Sequence, residues 1–240
     1  MKLKILALAF ILSVQGQLAF AENNLNNIGN LIQSEFKLFS KDLAAALSYK
    51  SVAPPEPLGI TGFDLGIELT ATDLNNSSLF DKASTSNFAS SLIIPKIHLH
   101  KGLPWGLDVA ASLVSIPDSN IELFGAELRY AIIEGSTLVP AVSIRGSMSK
   151  LSGVSELDLD TTGLDLSISK GFAILTPYAG VGRIWTTSSP AASTGLTKEE
   201  FSDAYSFVGL NINLGVINLA FEGDRVGKTD SLSAKLGWRF

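Results

Sequence analysis

Cysteine is absent from the 240 residues, and histidine occurs only twice. A chain without thiols has no disulfide framework, no cysteine-held zinc, no thiol nucleophile and no N-terminal cysteine for a lipid anchor. Charge is also scarce. Charged residues make up 17% of the chain, against roughly 25% in an ordinary soluble domain. The 18 basic residues form no block and are outnumbered by 23 acidic ones, which argues against a nucleic-acid partner. Walker loop, GxSxG and HExxH motifs are missing. No apolar run reaches the eighteen or so residues that a membrane-crossing helix needs. What is present is apolarity without such a helix: 46% hydrophobic residues and a mean hydropathy of +0.29.

The first 21 residues read as an export signal. Lys2 and Lys4 precede an apolar run from Ile5 to Val14, and Ala19 and Ala21 frame an A-x-A cleavage site before Glu22. Cleavage at that site removes two positive charges from an already acidic chain. An exported chain with no spanning helix is either soluble or a membrane β-barrel, because only helices and closed barrels satisfy their backbone in hydrocarbon.

Residues 22–57 read as an amphipathic helix and a proline-rich linker. Leu25, Ile28, Ile32, Phe36, Phe39, Leu43 and Leu47 recur at steps of three and four. The stretch SVAPPEP at 51–57 stops the helix, since proline cannot continue it. Three placements are open for it: plugging a lumen, lying at the periplasmic membrane interface, or pairing with another protein.

From Leu58 to Phe240 the period changes from 3.6 to 2. Leu65, Ile67 and Leu69 share one face and Asp64, Glu68 and Thr70 the other; Ile97 and Leu99 oppose Lys96, His98 and His100. The same alternation recurs in ten runs, the last being Leu232, Ala234, Leu236, Trp238 and Phe240 against Ser233, Lys235 and Arg239. The run Phe172–Thr186 is glycine-rich and its facing is ambiguous. Tight turns are expected near Lys101–Pro104, Glu134–Ser136, Lys170–Gly171 and Gly215–Val216. Longer loops are expected at 73–87, 117–120, 150–156, 187–203 and 224–230, the asymmetry of an outer-membrane barrel. Both chain ends are then expected in the periplasm.

The polar face is rich in Gly, Ala and Ser and poor in charge, a weakly solvated exterior. Aromatics gather at strand ends: Phe63, Trp105, Tyr130, Phe172, Trp238 and Phe240 at the turn side, Phe88, Phe124, Trp185, Tyr205 and Phe221 at the loop side. The expected fold is therefore an all-β, closed, antiparallel transmembrane barrel of about ten strands, apolar face outward, preceded by the helix. The ending LSAKLGWRF resembles the C-terminal targeting strand of small Gram-negative outer-membrane β-barrel proteins. That resemblance implies an outer-membrane location, contact with outer-membrane lipid and lipopolysaccharide, and reading of Trp238 and Phe240 by the barrel-assembly machinery.

The inward face places Asp64, Glu68, Asp108, Glu127, Asp165 and Glu222 opposite Lys96, Arg129, Arg145, Lys235 and Arg239, with Arg183 undecided. In a ten-strand barrel such groups either knit into ion pairs or line a narrow polar passage. Arg129, Arg145 and Glu127 are the constriction candidates. His98 and His100 form an H-x-H that can ligate a metal or supply a base, but without a cysteine or a fixed carboxylate partner they read as polar lumen residues. Asp158, Asp160, Thr162 and Gly163 imitate a calcium loop whose twelfth position is Ser169 instead of glutamate, so the match fails. No metal, cofactor or catalytic site is expected. The leading expectation is a monomeric, non-enzymatic narrow pore for small polar solutes, with mild cation preference from its acidic outer loops. The alternatives are a closed structural or surface-interaction barrel and a small barrel enzyme.

Overall fold

The computed structural model describes residues 24–84, 88–115 and 119–240; the export signal lies outside them. Ten antiparallel strands follow the order of the sequence: β1 Phe63–Asp73, β2 Ser91–Gly102, β3 Leu107–Ser115, β4 Glu122–Ile133, β5 Ala141–Ser152, β6 Leu157–Ser169, β7 Leu175–Pro190, β8 Glu199–Leu214, β9 Ile217–Val226 and β10 Thr229–Arg239. Each pairs with the next, and β1 also pairs with β10, so the sheet closes into a barrel. Glu68 has Lys96 as its register partner on one side and Lys235 on the other. Among the described residues two α-helices accompany the strands: α1, Gln33–Leu47, before the barrel, and α2, Ser77–Ala83, in the first loop. Neither is long and apolar enough to cross a membrane.

The alternation resolves into inside and outside. Ile67 is 57% exposed and Leu128 54%, whereas Glu68 is 2% and Glu127 5%. The greasy face is the exterior, the reverse of a water-soluble barrel, and its aliphatic rows continue around every strand. Aromatics fringe it at the turn end, where Trp105, Tyr130, Phe172, Trp238 and Phe240 are exposed. Phe124, Trp185 and Phe221 lie outside on their strands, but Tyr205 is buried inside the barrel and Phe88 is buried at its loop end. Tyr205 belongs to the inward register of β8, and Phe88 packs on Phe80 of α2 with ring centroids 5.3 Å apart.

The connections differ from the expected asymmetry. The expected tight turn at 134–136 is a connection spanning 134–140, and the expected loop at 224–230 is the two-residue turn 227–228. Strands β7 and β8 run on to Pro190 and Glu199, which shortens the loop between them to 191–198. In the tight connection 103–106, Trp105 (63°) and Gly106 (70°) both take positive φ, which matches the twist of the flanking strands. The segment with the calcium-loop likeness is ordinary β6 strand.

Replacing Ile67 by Arg puts a charge mid-wall on the exterior, and refolding into lipid vesicles is expected to lose about 2–4 kcal/mol in a denaturant titration. A neutral result would mean that this face meets water.

Candidate functional site: a plugged lumen

The lumen is occupied by the chain's own N-terminal segment. Its described end lies at the loop end of the barrel, opposite Phe240. There the Leu25 N–H donates to Asn120 Oδ1 (3.1 Å), the Asn27 N–H to the Ala83 carbonyl (3.0 Å) and the Ile28 N–H to Glu156 Oε2 (2.7 Å). The segment then descends through the barrel as α1 and leaves at the turn end, where a turn at Gly59–Gly62 leads into β1. Placement at the membrane interface is excluded, and the two ends of the described chain do not share one side of the barrel.

The helix suits this path by composition. Its first turns are amphipathic: Ser34, Lys37 and Leu38 are exposed, while Phe36 and Phe39 are buried. Glu35 accepts from the Ile32 N–H and from Lys82, and the Lys82 ammonium holds its carboxyl below the usual range. From Asp42 to Leu47 the helix is buried all round, and Ala44, Ala45 and Ala46 keep it slim where the wall closes in. It ends at Ser48, whose hydroxyl donates to the Ala45 carbonyl (3.0 Å).

Plug and wall meet in two layers. At the loop end Phe36, Phe39, Leu43 and Leu47 join inward-facing Leu92, Ile94, Leu123, Leu151, Leu157 and Leu159 in one apolar cluster, with the Phe39 and Phe80 rings 4.6 Å apart. Each such side chain contributes about 1.5–3 kcal/mol when fully buried. Polar bonds pin the helix to the wall: Lys41 to Asp203 (3.0 Å), Lys37 to Glu199 (3.2 Å) and Ser40 to Ser188 (2.8 Å). Asp42 accepts from the Asn76 N–H (2.7 Å) and from Thr229 (3.0 Å).

The deeper layer is ionic. Lys50 donates to Asp224 (2.9 Å) and to the Ala45 carbonyl (3.0 Å), both side chains being wholly buried. Arg129 donates to Ser51 Oγ and the Pro54 carbonyl (2.7 Å each) and pairs with Glu127 (2.5 Å). The Tyr49 ring sits edge-on to His98 at 5.9 Å. The Leu58 N–H donates to Asp108 (3.1 Å).

Every lumen residue expected from the sequence lies on the inner wall, in several linked groups. Asp64 pairs with Arg239 (2.6 Å) and Lys235 (3.4 Å). Glu68 pairs with Lys96 (2.9 Å) and contacts His98 Nε2 (2.6 Å), and Thr70 also donates to it. Arg145 bridges Asp165 (2.8 Å) and Glu127 (3.6 Å), and His100 Nδ1 is 3.8 Å from Glu127. The constriction candidates thus meet as one cluster. The rings of His98 and His100 stack at 5.7 Å, and among the described residues no three His, Asp or Glu side chains are grouped to hold a metal ion. Glu222 faces Tyr178, Tyr205 and Asp224. Arg183 corrects the open reading of its strand: it points outward and its guanidinium donates to Ser202 (2.9 Å). Gly180 faces inward, and a Cβ there would meet the Phe207 ring at 2.3 Å, so this glycine makes room for an aromatic ring of the wall.

Sequence reasoning did not foresee Lys41, Asp42, Tyr49, Lys50, Ser51, Asp203 or Asp224. A signal existed: the inward positions nearest the loops (Leu92, Ile94, Leu123, Leu151, Leu157, Leu159) are apolar, which a water-filled mouth would not be.

Converting Asp224 to Asn leaves the Lys50 ammonium buried without its counter-charge, a loss of about 3–5 kcal/mol. Amide hydrogen exchange is expected to speed up across 42–51 in that variant and to stay slow in the strands.

No family model and no curated protein matches the chain. Solved structures similar to it include the β domain of the Bordetella autotransporter BrkA (10% identity, 75% of this chain and 99% of that one, TM-score 0.45). The N-terminal β-barrel domain of Pseudomonas aeruginosa OprF is similar at 12% identity over 74% of this chain and 97% of that one, with a TM-score of 0.37. The KdgM porin in complex with disordered oligogalacturonate is similar at 11% identity over 75% and 99%, with a TM-score of 0.37.

Proposed function

We propose that the chain is an outer-membrane barrel held shut by its own N-terminal segment, acting as a structural or surface-interaction barrel and not as a standing pore. The observation that carries this is the occupied lumen: residues 25–58 bond to the wall from Asn120 at the loop end to Asp108 near the turn end. An apolar collar excludes water above, and ion pairs bind plug to wall below. A solute would have to displace both. His98 and His100 are buried beneath the plug, away from lipid and from the cell surface where a barrel enzyme would meet its substrate. In this reading the loops face out of the cell, Trp238 and Phe240 serve insertion by the assembly machinery, and the barrel is a monomer.

The test is conductance in planar bilayers. The native protein is expected to be silent, and a variant lacking 24–57, verified as folded by heat-modifiable gel migration, is expected to conduct in discrete steps. Those steps should be cation-selective, because removing Lys41 and Lys50 leaves Asp203 and Asp224 uncompensated on the wall. Equal conductance of the two proteins would return the function to an open narrow pore.

A further inference from the structure

The outer wall is not evenly convex. On the lipid-facing side between β5 and β10, two hollows of about 850 and 340 Å³ adjoin and share Leu166 and Val181. Ala179, Ser206 and Gly223 contribute little bulk to the larger one, which Ile168 and Val208 also line. A Cβ built on Gly223 meets nothing within 4 Å, so the space beside it is open. The larger volume falls within the roughly 300–1,000 Å³ of small-molecule sites.

The upper border of the hollows is charged. Outward residues of β7 run Leu175, Pro177, Ala179, Val181, Arg183, Trp185, Thr187 and Ser189, changing from apolar to polar at Arg183 and Trp185. Eight residues at about 3.3 Å each, tilted by ~40°, lift Arg183 roughly 20 Å above Leu175, close to the rim of an apolar band about 25 Å tall. Arg225, on the border of the larger hollow, is held by Asp230 through two bonds (2.5 and 2.7 Å). Arg183 borders the smaller one, and its bond to the Ser202 hydroxyl leaves most of its donors unspent. A guanidinium at the edge of hydrocarbon, with a neutral partner and a greasy furrow beneath it, matches a ligand that carries a phosphate above an acyl chain.

We propose that Arg183 and these hollows form a binding site for one lipopolysaccharide molecule, its phosphate on the guanidinium and an acyl chain along Val181, Val208 and Gly223. The furrow runs from Arg183 toward the turn end, so its charged border lies at the loop side. An outer-leaflet lipid enters it head-up, and an inner-leaflet phospholipid would bring its phosphate to the wrong end. The assignment rests on the exterior lying in a bilayer with the loops outward, as in the proposed function.

The test measures binding of fluorescent lipopolysaccharide to the full-length protein in detergent, with phosphatidylglycerol as the competing arm. Arg183→Gln is expected to weaken binding about tenfold. Gly223→Leu, whose Cβ meets nothing within 4 Å and whose side chain extends into the furrow, is expected to weaken it as well. Native affinity in both variants overturns the site, and phosphatidylglycerol binding as tightly as lipopolysaccharide overturns the assignment of the lipid. Failure of the membrane reading itself shows separately, as a native chain that stays monodisperse without detergent.

Discussion

Hydrocarbon offers no hydrogen bonds, and in the membrane reading proposed above the closure of the sheet follows from that. A sheet edge left open in it would strand N–H and C=O groups at several kcal/mol each. Strand β10 therefore bonds back to β1, from Asp64 with Arg239 to Thr72 with Ser231. Closure turns one face of every strand toward lipid and the other toward an enclosed volume. The enclosed face then carries groups that lipid would reject: Asp64, Glu68, Glu127, Arg129 and Arg145 are all nearly inaccessible.

An enclosed volume must be filled, and ten strands leave more room than their own side chains occupy. The N-terminal segment takes that room as a slim, alanine-rich helix followed by an extended stretch of prolines. Its apolar half meets apolar wall, and its polar half meets charged wall through Lys50 with Asp224 and Ser51 with Arg129. The collar of Phe36, Phe39, Phe80 and Leu123 keeps water from the ion pairs below. In that low-dielectric surrounding Lys50 and Asp224 hold each other firmly, and neither tolerates losing the other. Because plug and barrel are one chain, seating the plug is an intramolecular step at high effective concentration.

Much of this was legible in the residue order. Period-2 alternation from Leu65 to Phe240 marked the strands and their two faces, because side chains must alternate across a pleated sheet. The stripe from Leu25 to Leu47 marked the helix. Where the alternation weakened, assignment weakened with it: glycines at 180 and 182 hid the facing of β7, so Arg183 stayed undecided. Tyr205 and Phe88 looked like interfacial aromatics because position along the chain does not reveal whether a ring lies outside the wall or within it. The turn at 227–228 was misjudged because polar residues on either side of it continue the strands, and the one at 134–140 because Leu138 and Val139 look like strand residues yet lie in the connection.

Residue order alone determined a closed barrel, its greasy exterior and the charged inner wall, since these depend on local periodicity and on the bilayer's intolerance of unpaired backbone. Only the tertiary structure decided that the helix occupies the lumen and that its N-terminal end reaches the loop side. Those facts depend on which distant surfaces fit: Lys50 meets Asp224, and Ser51 meets Arg129, across separations along the chain that no periodicity encodes.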